Sequence, residues 1–88
     1  MDEVDRLRVE MTDGRTFEGS PVSIVRDMRA LSFDREESLE DYVRASAERA
    51  ETLLGASLVL EGETVEDLSR SFLLEAARAG LAKAETLP

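Results

Sequence analysis

The alternation of apolar and polar residues between positions 6 and 11 predicts a β-strand with one buried face. Every second residue of this stretch is apolar, and the residues between them are charged. Successive side chains of a strand point to opposite faces of the sheet, so the apolar set lies on one face. These apolar residues are Leu7, Val9 and Met11.

A turn signal directly after this strand predicts a hairpin. Thr12-Asp13-Gly14 is expected to form a three-residue loop with its glycine in the left-handed conformation. That loop pairs Val9 with Phe17 on the apolar face and Arg8 with Glu18 on the polar face. An apolar contact inside and an ion pair outside are both favourable, which supports this register.

Three later stretches repeat apolar residues at the spacing of an amphipathic helix. Each begins after a side chain that can cap a helix N-terminus, and the last two end before a glycine that can adopt the left-handed conformation. The sequence therefore predicts helices over residues 21–31, 39–54 and from 65 to the Gly80 stop, with the N-caps Ser20, Ser38 and Thr64.

The second helix carries a long apolar stripe along one side. Phe33, in the connection before this helix, is expected to insert into the core. The members of the stripe are Leu39, Tyr42, Val43, Ala47, Ala50, Leu53 and Leu54.

Residues 56–61 contain Ser-Leu-Val-Leu between two glycines and are predicted to form the third strand. Residues 82–88 are predicted to be a frayed tail. The expected fold is α+β in the order β-β-α-α-β-α, a small three-stranded sheet with three helices on one face. A chain of 88 residues is expected to be a single domain, residues 1–88.

The chain is strongly acidic, and its charge bears on the partners that it can have. Its 20 acidic and 11 basic residues give a formal net charge of −9, which repels phosphate backbones and anionic lipid surfaces. Neither nucleic acid nor membrane is therefore expected as a partner, whereas a basic protein surface is complementary. Four arginines could still form a basic strip, although such arginines more often pair with nearby acids: Arg6, Arg8, Arg26 and Arg29.

Small size and missing targeting signals suggest a cytoplasmic homodimer. A domain this short buries little of its unfolded surface, and association with a second copy is a common way to bury more. The first residues are acidic and lack the basic and apolar regions of a secretory signal. No apolar run approaches the roughly 20 residues of a membrane span.

The residue types that most enzymes use are scarce in this chain. It has no His, Cys, Trp, Asn or Gln, and its one lysine is Lys83. Its serines therefore have no evident base to activate them, and its glycines are scattered rather than gathered in a phosphate-binding loop. No catalytic residue, cofactor-binding residue or metal ligand is predicted, and the chain is expected not to be an enzyme.

Two clusters of carboxylates have two possible interpretations. Clustered oxygen ligands can hold a hard cation such as calcium. Both clusters also lie where the N-terminus of a predicted helix attracts acids, and capping is the preferred interpretation. The first comprises Asp34, Glu36, Glu37, Glu40 and Asp41, and the second comprises Glu61, Glu63, Glu66 and Asp67.

The third helix has more apolar residues than one buried face requires. Leu74, one turn from Arg70 and Arg78, is either an exposed contact point or buried between the sheet and the second helix. The candidate interaction surface is Phe72, Leu74 and Leu81. With this surface, the chain is predicted to be a non-catalytic protein–protein interaction or regulatory module that binds itself or a basic protein. The alternative is an acidic inhibitor that mimics nucleic acid, of the antirepressor or antitoxin kind.

Overall fold

The structure, a computed structural model, describes residues 6–31 and 38–87. Within these residues the chain forms three strands and three helices in the order β-β-α-α-α-β. The elements are β1 (Leu7–Met11), β2 (Thr16–Gly19), α1 (Pro21–Ala30), α2 (Leu39–Leu54), α3 (Val65–Arg78) and β3 (Ala82–Thr86). The α+β class is confirmed, and the three-stranded sheet is antiparallel with the strand order β2-β1-β3.

The N-terminal hairpin has the predicted loop and the predicted register. Gly14 is left-handed, with a φ of 92°. Its N–H donates to the Met11 carbonyl at 3.0 Å, which closes the turn. The cross-strand pairs are those expected, Val9 with Phe17 and Arg8 with Glu18.

All three helices begin after the predicted N-caps, whose side-chain oxygens accept a backbone N–H from three residues later. The acceptors are Ser20 Oγ (3.2 Å from Ser23 N), Ser38 Oγ (3.1 Å from Asp41 N) and Thr64 Oγ1 (3.1 Å from Asp67 N). α3 ends at the predicted Gly80 stop in a Schellman arrangement, in which the Leu81 N–H donates to the Ala76 carbonyl at 2.9 Å. This ending turns the chain back towards the sheet, and β3 follows at once.

The third strand is β3 rather than the segment 56–61, which corrects two predictions. Residues 82–86 pair with the whole of β1, so this part of the chain is not a frayed tail. The segment 56–61 alternates exposed and half-buried side chains as a strand does, but it is not part of the sheet. The physical reason is the turn after α3, which delivers residues 82–86 directly to the free edge of β1.

The core lies between the inner face of the sheet and α1 and α3, and α2 packs on these two helices. The stripe of α2 contributes to this core, but its last two members do not. Leu53 and Leu54 are 75% and 65% exposed. They follow Ala50, the last buried residue of α2. The largest fully buried side chains are Ile24, Leu68, Leu73, Val9, Val25, Val43 and Ser69.

The outer face of the sheet is exposed to solvent, as predicted from its charged residues. Arg8, Glu10 and Glu18 are all exposed, whereas Leu7 and Val9 between them are buried. The prediction for Phe33 lies outside the described residues. In the part of the chain that the structure describes, no helix has the length and apolar character needed to cross a bilayer.

Candidate functional site

An apolar groove opens beside the last turn of α2. Its volume is about 320 Å³. Leu53 and Leu54 stand at its rim and are largely exposed, whereas Phe72, only 6% exposed, forms part of its floor. Its apolar lining includes Ala50, Leu53, Leu54, Leu58, Phe72 and Leu81.

Two glycine-terminated helix ends build this groove. Gly55, with a φ of 68°, stops α2 directly after Leu53 and Leu54, so both leucines lie in the last helical turn. Gly80, with a φ of 82°, lets Leu81 fold back against α3. The two ends therefore place the rim and one wall of the groove side by side.

The structure divides the predicted interaction surface. Phe72 and Leu81 line the groove together. Leu74 lies elsewhere, because residues two positions apart on a helix are about 200° apart around its axis. It is 42% exposed and lines a shallow depression with Arg70 and Glu61, so it is not buried between the sheet and α2.

The two rim leucines were not singled out from the sequence as a surface. Leu53 and Leu54 continue the apolar spacing of α2, which is the usual pattern of a buried face. The available signal was their position next to Gly55, since the last turn of a helix often extends past the elements that cover its middle. The groove therefore joins Phe72 and Leu81 of the predicted interaction surface to two leucines outside that prediction.

Side chains of α3 hold the segment 56–61 beside the groove. The Val59 N–H donates to Glu75 Oε1 at 3.1 Å, and the Glu61 N–H donates to Ser71 Oγ at 3.1 Å. Ser71 and Glu75 are four residues apart and lie on one face of α3. These side-chain hydrogen bonds fix the position of the segment, which is not part of the sheet. They also place the half-buried Leu58 in the groove lining.

Glu75 is also the acceptor of a two-pronged ion pair. Arg78 donates through Nε to Oε2 and through a terminal nitrogen to Oε1, both at 2.8 Å. The hydrogen bond from Arg78 and then that from Val59 lower the pKa of Glu75 below its ordinary value of 4.5. The same contact raises the pKa of Arg78. Glu75 is therefore charged at neutral pH, and its role is to hold the segment in place.

The described carboxylates of the two clusters lie in or just before the first turns of α2 and α3. Within residues 6–31 and 38–87, no three His, Cys, Asp or Glu side chains gather in a metal-binding arrangement. In the first cluster, Glu40 Oε1 accepts from Arg44 Nε at 3.3 Å. In the second, the backbone N–H of Asp67 donates to Thr64 Oγ1, the N-cap of α3, at 3.1 Å. Three members of the first cluster, Asp34, Glu36 and Glu37, lie outside the described residues.

The outer face of the sheet carries alternating charges. Arg8 on the central strand has a carboxylate on each side, Glu18 Oε2 at 3.6 Å and Glu85 Oε1 at 4.0 Å. Arg26 and Arg29 belong to α1, which packs on the inner side of the sheet. The four arginines named from the sequence are therefore not gathered into one basic strip.

Comparison of the chain with protein-family models, with curated proteins and with solved structures finds no match. The interpretation of the groove and of the charged sheet therefore rests on their geometry.

Proposed function

We propose that this chain is a non-catalytic protein–protein interaction module that associates with itself and binds a partner protein in the groove. The observation that carries this proposal is the pair of exposed leucines at the rim of the groove, Leu53 and Leu54. A cytoplasmic location belongs to the same proposal.

Exposed leucines beside an apolar groove favour a partner because their burial is the main gain that association offers. Burying a leucine side chain fully is worth about 1.5–3 kcal/mol. Leu53 and Leu54 are 75% and 65% exposed, so most of that gain is still available at each residue. Contiguous apolar surface of this kind is typical of binding sites in soluble proteins.

The partner that fits best is an amphipathic segment with an apolar ridge and basic flanks. Such a segment buries its ridge in an apolar groove, as in the helix-in-groove mode of recognition. The net charge of −9 attracts basic residues and repels acidic ones at long range. The groove would then supply affinity, and the charge would supply selection and a faster encounter.

A non-catalytic role agrees with the chemistry of the described residues. The chain has no His or Cys, and the only carboxylate with a resolved pKa shift in the described ranges is Glu75. That shift makes Glu75 a weaker base, because Arg78 stabilises its charged form. Glu75 is therefore a structural acceptor rather than a group tuned for proton transfer.

The test compares two leucine variants as bait for partner capture. Leu53→Glu places a charge at the rim of the groove. Leu31→Glu is the matched control, because Leu31 is 60% exposed but does not line the groove. A protein retained by the unmodified chain and by Leu31→Glu, but lost with Leu53→Glu, supports the proposal. Equal retention by both variants, or no retention by the unmodified chain, would refute it.

The acidic mimic is the second candidate, and the exposed carboxylates at the start of α3 favour it. Glu61, Glu63 and Glu66 are exposed, and no ion pair of theirs occurs among the described residues. A partner held by these charges would dissociate from both leucine variants at modest salt. The reason is that salt largely screens the attraction between exposed charges beyond about 8–10 Å. A partner seated in the groove would stay bound to Leu31→Glu under the same wash.

A further inference from the structure

One edge of β3 has no partner strand among the described residues. The Leu87 N–H donates to the Arg6 carbonyl at 2.8 Å, so these two residues form a hydrogen-bonded pair of the antiparallel ladder. Such pairs alternate along the strands, so Glu85 and Lys83 also bond to β1. The backbone groups of the residues between them therefore point away from β1: those of Ala82, Ala84 and Thr86.

These outward backbone groups are free within the described chain. No hydrogen bond from Ala82, Ala84 or Thr86 to any described residue outside the ladder is present. Thr86 is exposed and Ala84 is half-buried. Edge strands are usually blunted by proline, a bulge or several charges; β3 has neither proline nor bulge, and its two charges, Lys83 and Glu85, are opposite in sign. It is therefore open to pairing with another strand.

We propose that the β3 strand of a second copy of this chain pairs with β3 in antiparallel fashion, about a two-fold axis at Ala84. This inference rests on the proposed self-association and names the surface that carries it. The two three-stranded sheets then form one continuous sheet. All five residues of β3 are paired, and the free groups of Ala82, Ala84 and Thr86 bond to those of Thr86, Ala84 and Ala82 of the second copy.

The charges of β3 select this register. With Ala84 opposite Ala84, Lys83 of each copy lies opposite Glu85 of the other, in the non-hydrogen-bonded position where side chains are closest. The neighbouring registers that keep the backbone bonds are shifted by two residues, and they place Lys83 opposite Lys83 or Glu85 opposite Glu85. Like charges directly opposite each other are unfavourable. The fully paired register is therefore also the one with complementary charges.

The same register continues the charge alternation of the outer face. One row of the sheet already runs from Glu18 through Arg8 to Glu85. The next position in that row would be Lys83 of the second copy, followed by its Glu10, because Glu10 lies beside Lys83 in the ladder. Every neighbouring pair of charges in the row is then opposite in sign. In the single chain, by contrast, Lys83 makes no ion pair among the described residues.

Disulfide trapping tests this register without background, because the chain has no cysteine. Lys83→Cys and Glu85→Cys are made separately, mixed and mildly oxidised. In the proposed register the two substituted positions face each other at a Cα separation of about 4.5 Å, which suits a disulfide. Identical positions are diagonal, about 7–8 Å apart, and are poorly placed for one. The mixture should therefore cross-link at least tenfold more than either variant alone.

The mass of the unmodified chain, from light scattering at micromolar concentration, separates the possible outcomes. Twice 9.7 kDa together with selective cross-linking in the mixture supports the proposal. Twice that mass without selective cross-linking overturns the β3 register and leaves self-association standing. A mass of 9.7 kDa at every concentration overturns both.

A proline variant provides a second test that keeps the fold. Thr86→Pro removes an N–H that has no partner within residues 6–31 and 38–87 but would donate to Ala82 of the second copy. We expect at least tenfold weaker dimerisation with an unchanged circular-dichroism spectrum, whereas the control Thr86→Ala should dimerise normally. Equal dimerisation of the two variants would contradict the proposed pairing.

Discussion

Ser69→Ala should stabilise the protein, although it removes a polar side chain. Ser69 lies in α3 and is fully buried, with an exposure of 0%. Its hydroxyl oxygen has no hydrogen-bond partner among the described residues. A buried hydroxyl that has lost its bonds to water and gained none in return is a net cost to the folded state.

The expected gain follows from two contributions. An unsatisfied buried hydroxyl costs about 1–3 kcal/mol, and alanine is a better helix former than serine by about 0.5 kcal/mol. The lost packing of one oxygen atom offsets part of this, so the free energy of unfolding should rise by about 1–2 kcal/mol. For a domain of this size each kcal/mol raises the Tm by about 4–8 °C.

Ser71 is the matched control, two residues further along the same helix. Its hydroxyl accepts from the Glu61 N–H and donates to the Leu68 carbonyl, both at 3.1 Å. Ser71→Ala should therefore lower the free energy of unfolding by up to about 1 kcal/mol, since the lost bonds exceed the gain in helix propensity. Urea unfolding at one protein concentration measures both changes. A destabilising Ser69→Ala, or the same sign for both variants, would refute the assignment of Ser69 as unsatisfied.

Three further predictions follow from the exposed face of α3, the Glu75 contact and β3. Leu74→Glu should change the free energy of unfolding by less than about 0.5 kcal/mol, because Leu74 is exposed; loss of the folded circular-dichroism signal would show instead that it is core. The pKa of Glu75 is lowered in the folded protein, so its contribution is present above the ordinary value of 4.5 and is lost as the pH falls through the lowered value. The Val59 amide should therefore exchange faster in acid, after correction for the intrinsic rate, and an undiminished acid response in Glu75→Gln would contradict this. Deleting residues 82–88 should abolish cooperative thermal unfolding, because β1 loses one complete ladder; an unchanged Tm is the result expected of a frayed tail.

Short sequence signals were sufficient to predict the N-terminal hairpin and the starts of the three helices. Asp13-Gly14 determined the loop length, and the loop length determined which residues of β1 and β2 face each other. The helix starts followed from Ser20, Ser38 and Thr64, because an N-cap acts through bonds within its own turn. These features depend on neighbours in sequence, and neighbours are visible without a structure.

The third strand could not be found in the same way. Ala82–Thr86 is rich in Ala, Lys and Glu, which are depleted in strands, whereas Ser-Leu-Val-Leu in the segment 56–61 has strand character. Tertiary structure, not strand propensity, determines which segment pairs with β1, because the turn after α3 leads residues 82–86 to its edge. The segment 56–61 keeps its alternation of exposed and half-buried side chains but bonds to Ser71 and Glu75.

The candidate site was predicted in part for a related reason. Phe72 and Leu81 lie in the groove as a pair, but whether a helical leucine is covered depends on which elements pass over it. Leu53 and Leu54 have the spacing of core residues, and only the packing of α2 on α1 and α3 shows that their turn is uncovered. Periodicity identifies an apolar face, and tertiary contacts decide how far along the helix that face is buried.

The central position of β1 has a consequence for how the chain acquires its structure during synthesis. β1 and β2 are adjacent in sequence and can pair as soon as both leave the ribosome, but Leu7 must wait for Thr86, which is made after all three helices. A two-stranded hairpin is only marginally stable by itself, and the closure of a long loop is entropically costly and slow. Nascent chains therefore carry a bare strand edge on β1 until β3 emerges, and this exposed edge makes them prone to misassembly during that interval.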